Sequence, residues 1–365
     1  MDGTGGMDGL PEVMSAAVYR GRGDIAVEER PVPVPGPGEV LLEVRYCGIC
    51  GSDIHILLEG WGETPGLIAG HEYSGTIAAL GEGVEGWELG ETVVGGPSPR
   101  CGRCRRCREG KPSQCENRRG QAGHFGDGAF ARYVLVRAAA LVRVPEGMSA
   151  RRAALAEPLA VALHGITRSG ARPGDRVLVI GAGPIGALSI AALRAMGIED
   201  VVAVEPGDRR RRLASALGAR EVWTPDRLER FPPWEPERMA DPCFHAVLEC
   251  SGKKAAMEAG FYQLARGGTL ALVGAGIEGP AFDPNRFVLN ELCVVGSFVY
   301  DADGFERALG LLGRPDFPAE ALTEEEDVTL DRISDALVGL AEGRLAGKVM
   351  VVPEVAQTPA TAGGR

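Results

Sequence analysis

The sequence lacks any apolar run long enough to cross a membrane, and its first twenty residues lack the basic-then-apolar order of a secretory leader. It also lacks an excess of positive charge. The net charge of -11 disfavours nucleic acid or an anionic membrane as the main partner. These absences predict a soluble, cytoplasmic protein with neither nucleic-acid nor membrane partners.

Nine cysteines are present in the chain. In a reducing compartment they are not expected to form a disulfide framework, so clustered cysteines indicate metal ligands. A chain of 365 residues is too long to fold around one ordinary hydrophobic core, so two or more domains are expected. The 53 glycines and 25 prolines are spread along the chain, which indicates many tight turns.

The first 160 residues have the pattern of short strands separated by turns. Short apolar stretches such as 40–44, 73–80 and 130–136 alternate with glycine and proline, without long helices between them. This pattern predicts an antiparallel, partly barrel-like β lobe over residues 1–160, with a loose extension at its start.

A different pattern follows over residues 161–295. The apolar strand 177–180 leads into the glycine turn 181–186, an apolar helix and a second apolar strand at 201–204. This βαβ unit, followed by further strands and helices, predicts an α/β lobe with a doubly wound parallel sheet. Residues 296–352 are predicted to return to the first lobe, and 353–365 to form a frayed tail.

Four cysteines follow the spacing C-x2-C-x2-C-x7-C and predict a closed structural zinc site. They are Cys101, Cys104, Cys107 and Cys115. An iron-sulfur cluster and unliganded thiols remain alternatives. Arginines interleave with these cysteines and superficially resemble a nucleic-acid knuckle, although the overall negative charge favours a solvated arginine face.

The glycine turn fits a dinucleotide fingerprint because it lies between a buried strand and a helix. Its residues are Gly181, Gly183, Pro184, Ile185 and Gly186. Glu205 ends the next strand, where a carboxylate can hold a ribose 2′-hydroxyl and would repel a 2′-phosphate, so NAD is favoured over NADP. The arginines at 209–212 weaken this inference, and Arg210 either flanks the adenine or is a solvated helix residue.

Three reactive side chains in two short motifs offer ligands for a catalytic metal. Cys50 lies in the stretch 48–55, and His71 and Glu72 follow Gly70. One thiolate, one imidazole and one carboxylate suit a zinc ion that keeps a position open for water or substrate. Glu157, which precedes Pro158, is a further candidate ligand or simply an acid at the start of a helix.

Together these motifs resemble the zinc-containing medium-chain dehydrogenase/reductase superfamily, in particular its sorbitol, threonine and butanediol dehydrogenase branch. The resemblance covers residues 50–348 in the family's order. It implies a GroES-like catalytic lobe beside a Rossmann coenzyme lobe, with the active site between them. It also implies two zinc ions per chain, one catalytic and one structural, NAD as cofactor, a small alcohol or ketone substrate, and a homodimer or homotetramer.

The resemblance also implies roles for individual residues. The catalytic zinc would bind Cys50 and His71. Glu72 and Glu157 would complete its coordination shell or exchange with each other as ligands. Ser52 would take the alcohol proton and His55 would pass it on. The remaining cofactor contacts implied by the family are Val273, Gly274, Ala275, Ser297, Phe298 and Lys348.

The implied reaction is a reversible hydride transfer between NAD and a secondary alcohol, diol, polyol, sugar or amino-alcohol. Two alternatives remain open on the sequence. One is an NADPH-dependent carbonyl reductase of a biosynthetic pathway, and the other is a non-catalytic, zinc-stabilised nucleotide-binding protein. The segment 56–67, which includes Trp61, matches no polyol enzyme closely, so the substrate is left open among these classes.

Overall fold

The computed structural model describes residues 6–61, 65–97, 100–117 and 126–354. Within them the chain forms an antiparallel lobe and a parallel-sheet lobe, as the two sequence patterns predict. Residues 355–365 of the predicted frayed tail lie outside the described part. None of the described helices is both long and apolar enough to cross a bilayer.

The antiparallel lobe contains a β1–β2 hairpin and a larger sheet of order β14-β3-β4-β5-β7, with β6 also paired to β3. The strands are β1 (Val13–Gly21), β2 (Asp24–Pro31), β3 (Glu39–Gly48), β4 (Glu72–Leu80), β5 (Thr92–Gly95), β6 (Tyr133–Arg137), β7 (Val142–Arg143) and β14 (Met350–Val351). Alternating side chains of these strands fill one core. Because β14 pairs with β3, placing Met350 opposite Gly48, the C-terminal segment returns to this lobe.

The parallel-sheet lobe has the strand order β10-β9-β8-β11-β12-β13. Its strands are β8 (Arg176–Ile180), β9 (Asp200–Val204), β10 (Glu221–Trp223), β11 (Phe244–Glu249), β12 (Leu264–Leu272) and β13 (Cys293–Gly296). Strands such as 177–180 read as continuous apolar runs because helices cover both faces of the sheet. The order reverses between β8 and β11, and a crevice at such a point is where doubly wound sheets bind ligands.

The helices flank these sheets. They are α1 (Gly51–Ile54), α2 (Arg105–Arg108), α3 (Ala150–Ala153), α4 (Ala156–Ser169), α5 (Pro184–Ala195), α6 (Asp208–Ala216), α7 (Lys254–Tyr262), α8 (Pro284–Asn290), α9 (Gly304–Leu312) and α10 (Ile333–Ala341). The long helix α4 packs against α5 and α9. The predicted domain boundary at residue 160 falls inside α4, so this helix belongs to the junction of the lobes.

Two neighbouring arginines of α6 bridge to the C-terminal return of the antiparallel lobe. Arg209 pairs with Glu324 at 2.7 Å and donates to the Arg344 carbonyl. Arg210 donates to the carbonyls of Leu340, at 2.9 Å, and Leu345, at 3.3 Å. These contacts tie α6 of the parallel-sheet lobe to α10 and to the segments before and after it.

The proline-rich segment that follows β10, residues 224–243, is called the excursion below; it contains only a short 3-10 turn, and a buried arginine anchors it to the parallel-sheet lobe. Arg286 on α8 is fully buried and donates to the carbonyls of Pro236 and Arg238. Its guanidinium also lies over the Phe231 ring, 5.3 Å from the centroid. Buried polar groups are nearly always hydrogen-bonded, and carbonyls of the excursion accept from one terminal nitrogen of this guanidinium, Nη1.

Candidate active site

Three of the predicted metal ligands come together where β3 ends and β4 begins. The ligand atoms of Cys50, His71 and Glu72 lie within 4.8 Å of one another. Cys50 directly precedes α1, and the β3–β4 register places Gly48 opposite Glu72. Strand pairing therefore joins two motifs that are separate in the sequence. His71 and Glu72 are fully buried.

Gly70 sets the direction in which His71 enters the site. Its backbone has φ +91, in the left-handed region that favours glycine, and a Cβ added there would lie 2.7 Å from the Phe130 ring. The glycine of the Gly-His-Glu motif is therefore required by both conformation and space.

The Glu72 carboxylate has two different environments. Its Oε1 accepts a hydrogen bond from Lys348 Nζ at 2.7 Å, and the same ammonium donates to the Ile49 carbonyl at 2.9 Å. Its Oε2 is buried and has no hydrogen-bond partner among the described residues. Lys348 itself is buried, so the structure places it behind Glu72. A contact of Lys348 with the cofactor stays a prediction.

Burying several acidic groups in this site costs free energy unless a cation is buried with them. Burial and the nearby Glu72 charge raise the pKa of Cys50 to about 12. Burial also raises the pKa of Glu157 to about 8, against the lowering influence of His71. A divalent cation would offset these costs. The soft thiolate, the imidazole and the orphaned Glu72 oxygen together fit zinc.

Glu157 lies in the first turn of α4, against residues that the sequence did not single out. A Cβ added at Gly96 would lie 2.7 Å from Glu157 Cγ and 3.0 Å from the Tyr300 hydroxyl. Tyr300 is almost fully buried and stacks edge-on against Phe305. Tyr300 is a site neighbour that sequence reasoning missed, because nothing in its local pattern distinguishes it from a core aromatic.

The predicted proton-transfer residues lie on a helical turn that the sequence did not reveal. Ser52 and Asp53 belong to α1, which continues as a π-helix over His55–Glu59. Ser52 Oγ is buried and has no hydrogen-bond partner among the described residues. Asp53 accepts from the Cys50 amide at 2.8 Å and lies 4.0 Å from His71 Nδ1. His55 Nδ1 lies 2.6 Å from Glu59 Oε2.

The four cysteines of the predicted structural site also come together. Their sulfurs, those of Cys101, Cys104, Cys107 and Cys115, lie within 4.8 Å of one another. Backbone amides donate to them, from Cys104 to Cys101 Sγ at 3.3 Å and from Cys107 to Cys104 Sγ at 3.4 Å. The Arg103 amide and other donors lower the pKa of Cys101 to about 6. Donors aimed at sulfur favour thiolates, so this loop fits zinc.

The arginines of this loop are engaged locally. Arg105 and Arg106 pair with Glu109, and Arg108 donates to the Arg103 carbonyl. These contacts favour a self-paired surface over a nucleic-acid knuckle.

The predicted nucleotide turn lies between β8 and α5. Gly181 has φ +87 and its amide donates to the Val204 carbonyl, while Gly183 caps α5 and Pro184 opens it. A Cβ at Gly186 would lie 1.8 Å from the Gly181 carbonyl oxygen, so only glycine fits there. Ile185 follows in the first turn of the helix. This arrangement offers the amino end of a helix to an anion.

Glu205 is buried beside this turn. Its Oε2 accepts from the Ala182 amide and its Oε1 from the Gly207 amide, both at 2.9 Å. Arg210 lies over the turn, with its guanidinium carbon 3.9 Å from the position of a Cβ on Gly183. Arg210 is therefore partly buried and lies close to the predicted nucleotide site.

The other predicted cofactor contacts follow the ends of β12 and β13. Val273, Gly274 and Ala275 come directly after β12, and a Cβ at Gly274 would lie 2.3 Å from the Gly252 amide. The Ser297 amide donates to the Leu272 carbonyl, and Phe298 is about half exposed. Their contacts with a cofactor stay predictions.

The loop after β11 was missed. The buried Glu249 accepts from the amides of Ser251 and Gly252, and a Cβ on Gly181 would lie 2.9 Å from Ser251 Cβ. This loop therefore forms one wall of the nucleotide turn. The glutamate at a strand end followed by Cys-Ser-Gly was the available signal.

A parallel-sheet lobe with a nucleotide turn, beside a lobe with a Cys-His-Glu group and a four-cysteine loop, defines a nucleotide-dependent dehydrogenase of the zinc type. Two family models match the chain. An alcohol dehydrogenase GroES-like domain covers residues 36–146, and a zinc-binding dehydrogenase domain covers residues 184–314. The chain belongs to the zinc-dependent medium-chain dehydrogenase/reductase superfamily.

Individual relatives agree with this assignment. The chain is 36% identical over 82% of its length to 2-dehydro-3-deoxy-L-galactonate 5-dehydrogenase of Pseudoalteromonas atlantica, covering 87% of that protein. It is 34% identical over 91% of its length to sorbitol dehydrogenase of Halalkalibacterium halodurans, covering 97% of that protein. A zinc-binding dehydrogenase from Sinorhizobium meliloti, solved with NADP, is 30% identical with a TM-score of 0.83, covering 94% and 100% of the two chains.

Proposed function

We propose that this protein is an NAD-dependent, zinc-dependent alcohol or polyol dehydrogenase that reversibly converts a CH–OH group to a ketone. The observation that carries the proposal is the close group of Cys50 with the buried His71 and Glu72, in a chain that also holds the glycine turn. The relatives act on hydroxyl-bearing substrates by their names. They favour this reading over a non-catalytic nucleotide-binding protein.

The residues divide the chemistry between them. Zinc, when bound by Cys50, His71 and either Glu72 or Glu157, would supply Lewis-acid polarisation of the substrate oxygen. Lys348 neutralises one oxygen of Glu72, so the other oxygen would be available to the ion. Ser52 would accept the proton of the alcohol and pass its own hydroxyl proton on toward His55.

His55, which is partly exposed, would hand this proton to solvent. The glycine turn and Glu205 would hold the nucleotide whose nicotinamide accepts the hydride. The four-cysteine loop would hold a second, structural zinc, giving two zinc ions per chain. The free thiols needed for both sites suit a reducing cytoplasm.

A substrate screen tests the proposal. Diols, polyols, sugars and amino-alcohols are offered to the zinc-loaded protein with NAD and, separately, with NADP, and the reduced nicotinamide is followed by its absorbance. We expect turnover of at least one class with NAD. Turnover confined to ketone reduction with NADPH would instead support a biosynthetic carbonyl reductase.

Replacing Glu205 with glutamine is expected to weaken the preference for NAD. The neutral side chain keeps its shape but loses the charge that repels a 2′-phosphate, and like charges in contact cost several kcal/mol. The ratio of kcat/KM for NAD to that for NADP should fall at least about tenfold. Glu221→Gln, on the neighbouring strand β10, is the matched control. A wild-type enzyme that already prefers NADP would refute the assignment of NAD.

We also propose that two copies associate through the outer edge of β13. Among the described residues no strand pairs with this edge. Exposed apolar side chains lie on the segments that lead into and out of this strand, namely Ile277, Val288, Leu289 and Phe298. An exposed edge beside an apolar patch is a site for association, and two identical edges related by a two-fold axis are self-complementary.

Placing aspartates on this patch should separate the subunits. The double substitution Val288→Asp and Leu289→Asp puts charge on side chains that a second copy would cover, so light scattering should give the mass of one chain where the wild type gives two. Val34→Asp, at an exposed residue of the other lobe, should leave the mass unchanged. A wild type that is monomeric at micromolar concentration would refute the proposed interface, whereas a tetramer reduced to a dimer would support it.

A further inference from the structure

His55 contacts two side chains that follow it in the chain, Glu59 on the same helical turn and Trp61 just beyond it. Its Nδ1 lies 2.6 Å from Glu59 Oε2, and its ring stacks on Trp61 with centroids 4.5 Å apart and planes 17° apart. The turn is a π-helix that Gly60 ends with φ +75. The Trp61 amide donates back to the His55 carbonyl. Single π-turns inside helical segments occur frequently at functional sites.

The contact with Glu59 determines which ring nitrogen carries the proton. An ionised carboxylate can only accept a hydrogen bond, so His55 Nδ1 must be the donor. In a neutral imidazole the other nitrogen, Nε2, then has a free lone pair. Both side chains are partly exposed, at 21% and 31%, so the ring retains access to water.

We propose that Glu59 is a positioning residue for His55, which fixes the Nδ1–H tautomer and thereby makes Nε2 the proton acceptor of the reaction. This inference rests on the proposed function and deepens it. His55 Nε2 takes the proton that passes from the alcohol by way of Ser52, and the ring becomes an imidazolium. Its Nδ1–H stays bonded to the Glu59 carboxylate, whose charge stabilises the cation. The Nε2 proton then passes to water, which restores the neutral ring.

Trp61 supports the same geometry from the face of the ring. A stacked indole restricts rotation of the imidazole about its side-chain bonds, so the Glu59 hydrogen bond and the stack act on different degrees of freedom.

Nuclear magnetic resonance of the zinc-loaded enzyme with ¹⁵N-labelled histidine measures the tautomer directly, without turnover. The signals of His55 are identified by their loss in His55→Gln. At a pH where the ring is neutral, we expect the Nδ1–H tautomer in the wild type. In Glu59→Gln we expect both tautomers, because an amide can accept from or donate to Nδ1. Glu342→Gln, at an exposed residue after α10, should leave the signals unchanged.

Kinetics on a double-mutant cycle show whether Glu59 acts through His55. Glu59→Gln should lower kcat about tenfold, a part of what a general base contributes, and leave the KM for NAD unchanged. In the His55→Gln background the same substitution should have no further effect. The Nε2–H tautomer in the wild type, or an equal loss of kcat in both backgrounds, would overturn the proposal.

The two proposals fail in different ways. A wild type that oxidises no alcohol contradicts the proposed function, whereas the tautomer measurement still decides the role of Glu59. An active wild type whose tautomer and kcat survive Glu59→Gln leaves the dehydrogenase intact and removes only the positioning role.

Discussion

Replacing Cys50 with alanine is expected to abolish turnover and to remove one of two bound zinc ions per chain. In the group with His71 and Glu72, Cys50 would contribute the soft ligand, a thiolate sulfur. Without it the remaining imidazole and carboxylate hold zinc poorly. Losing the polarising ion removes several kcal/mol of transition-state stabilisation, so kcat/KM should fall at least about a thousandfold. Zinc content is measured by elemental analysis on the same sample.

Cys47→Ala is the matched control for this experiment. Cys47 is three residues earlier and fully buried, and its thiol donates to the Gly48 carbonyl. It does not belong to either cysteine group that could hold a metal among the described residues. This variant should keep both zinc ions and most of the activity. If Cys50→Ala kept two zinc ions and its turnover, the assignment of the catalytic metal would be wrong.

Replacing Cys115 with serine should release the second zinc and loosen the segment 100–117. Cys104 and Cys115 are the buried pair of the four-cysteine loop, and few apolar side chains of this segment are buried besides them. The binding energy of a structural zinc is therefore the folding energy of such a loop. We expect limited proteolysis within this segment to accelerate at least about tenfold, since cleavage follows the population of the open form.

Cys243→Ser, at a cysteine outside both groups, provides the control for the loop. It should keep two zinc ions and the proteolysis rate of the wild type. Iron and sulfide in the purified protein, in place of the second zinc, would support the iron-sulfur alternative. Unchanged zinc content in Cys115→Ser would contradict a four-thiolate site.

The motifs were sufficient to predict the two sheets. Most of the side chains that they select as metal ligands lie close together in two groups, Cys50 with His71 and Glu72, and the four cysteines of the loop. Zinc binding by these groups stays a prediction. Cys50 and His71 could be paired because each lies in a short glycine-bounded motif with a strand beside it, and the β3–β4 hairpin joins them. The glycine turn could be predicted because its spacing reflects steric needs, as the contact between Gly186 and the Gly181 carbonyl shows.

Side-chain partners distant in sequence could not be predicted in this way. The Lys348–Glu72 pair depends on β14 joining β3, and a single lysine near the C-terminus carries no sign of such a contact. Arg286 is buried because the excursion folds over it, whereas its sequence suggests a surface residue. The helical turn 51–59 was not predicted either. The four-residue spacing of His55 and Glu59 was the signal available for this pair.

The Lys348–Glu72 pair also constrains the order in which the candidate metal site is assembled. The two residues are 276 positions apart, and Lys348 is synthesised only after every strand of the parallel-sheet lobe. Until then, a nascent chain has a Glu72 carboxylate without its cation, and β3 lacks the β14 partner. Since contacts of long range form late, this site reaches its final charge balance after the parallel-sheet lobe has been able to fold.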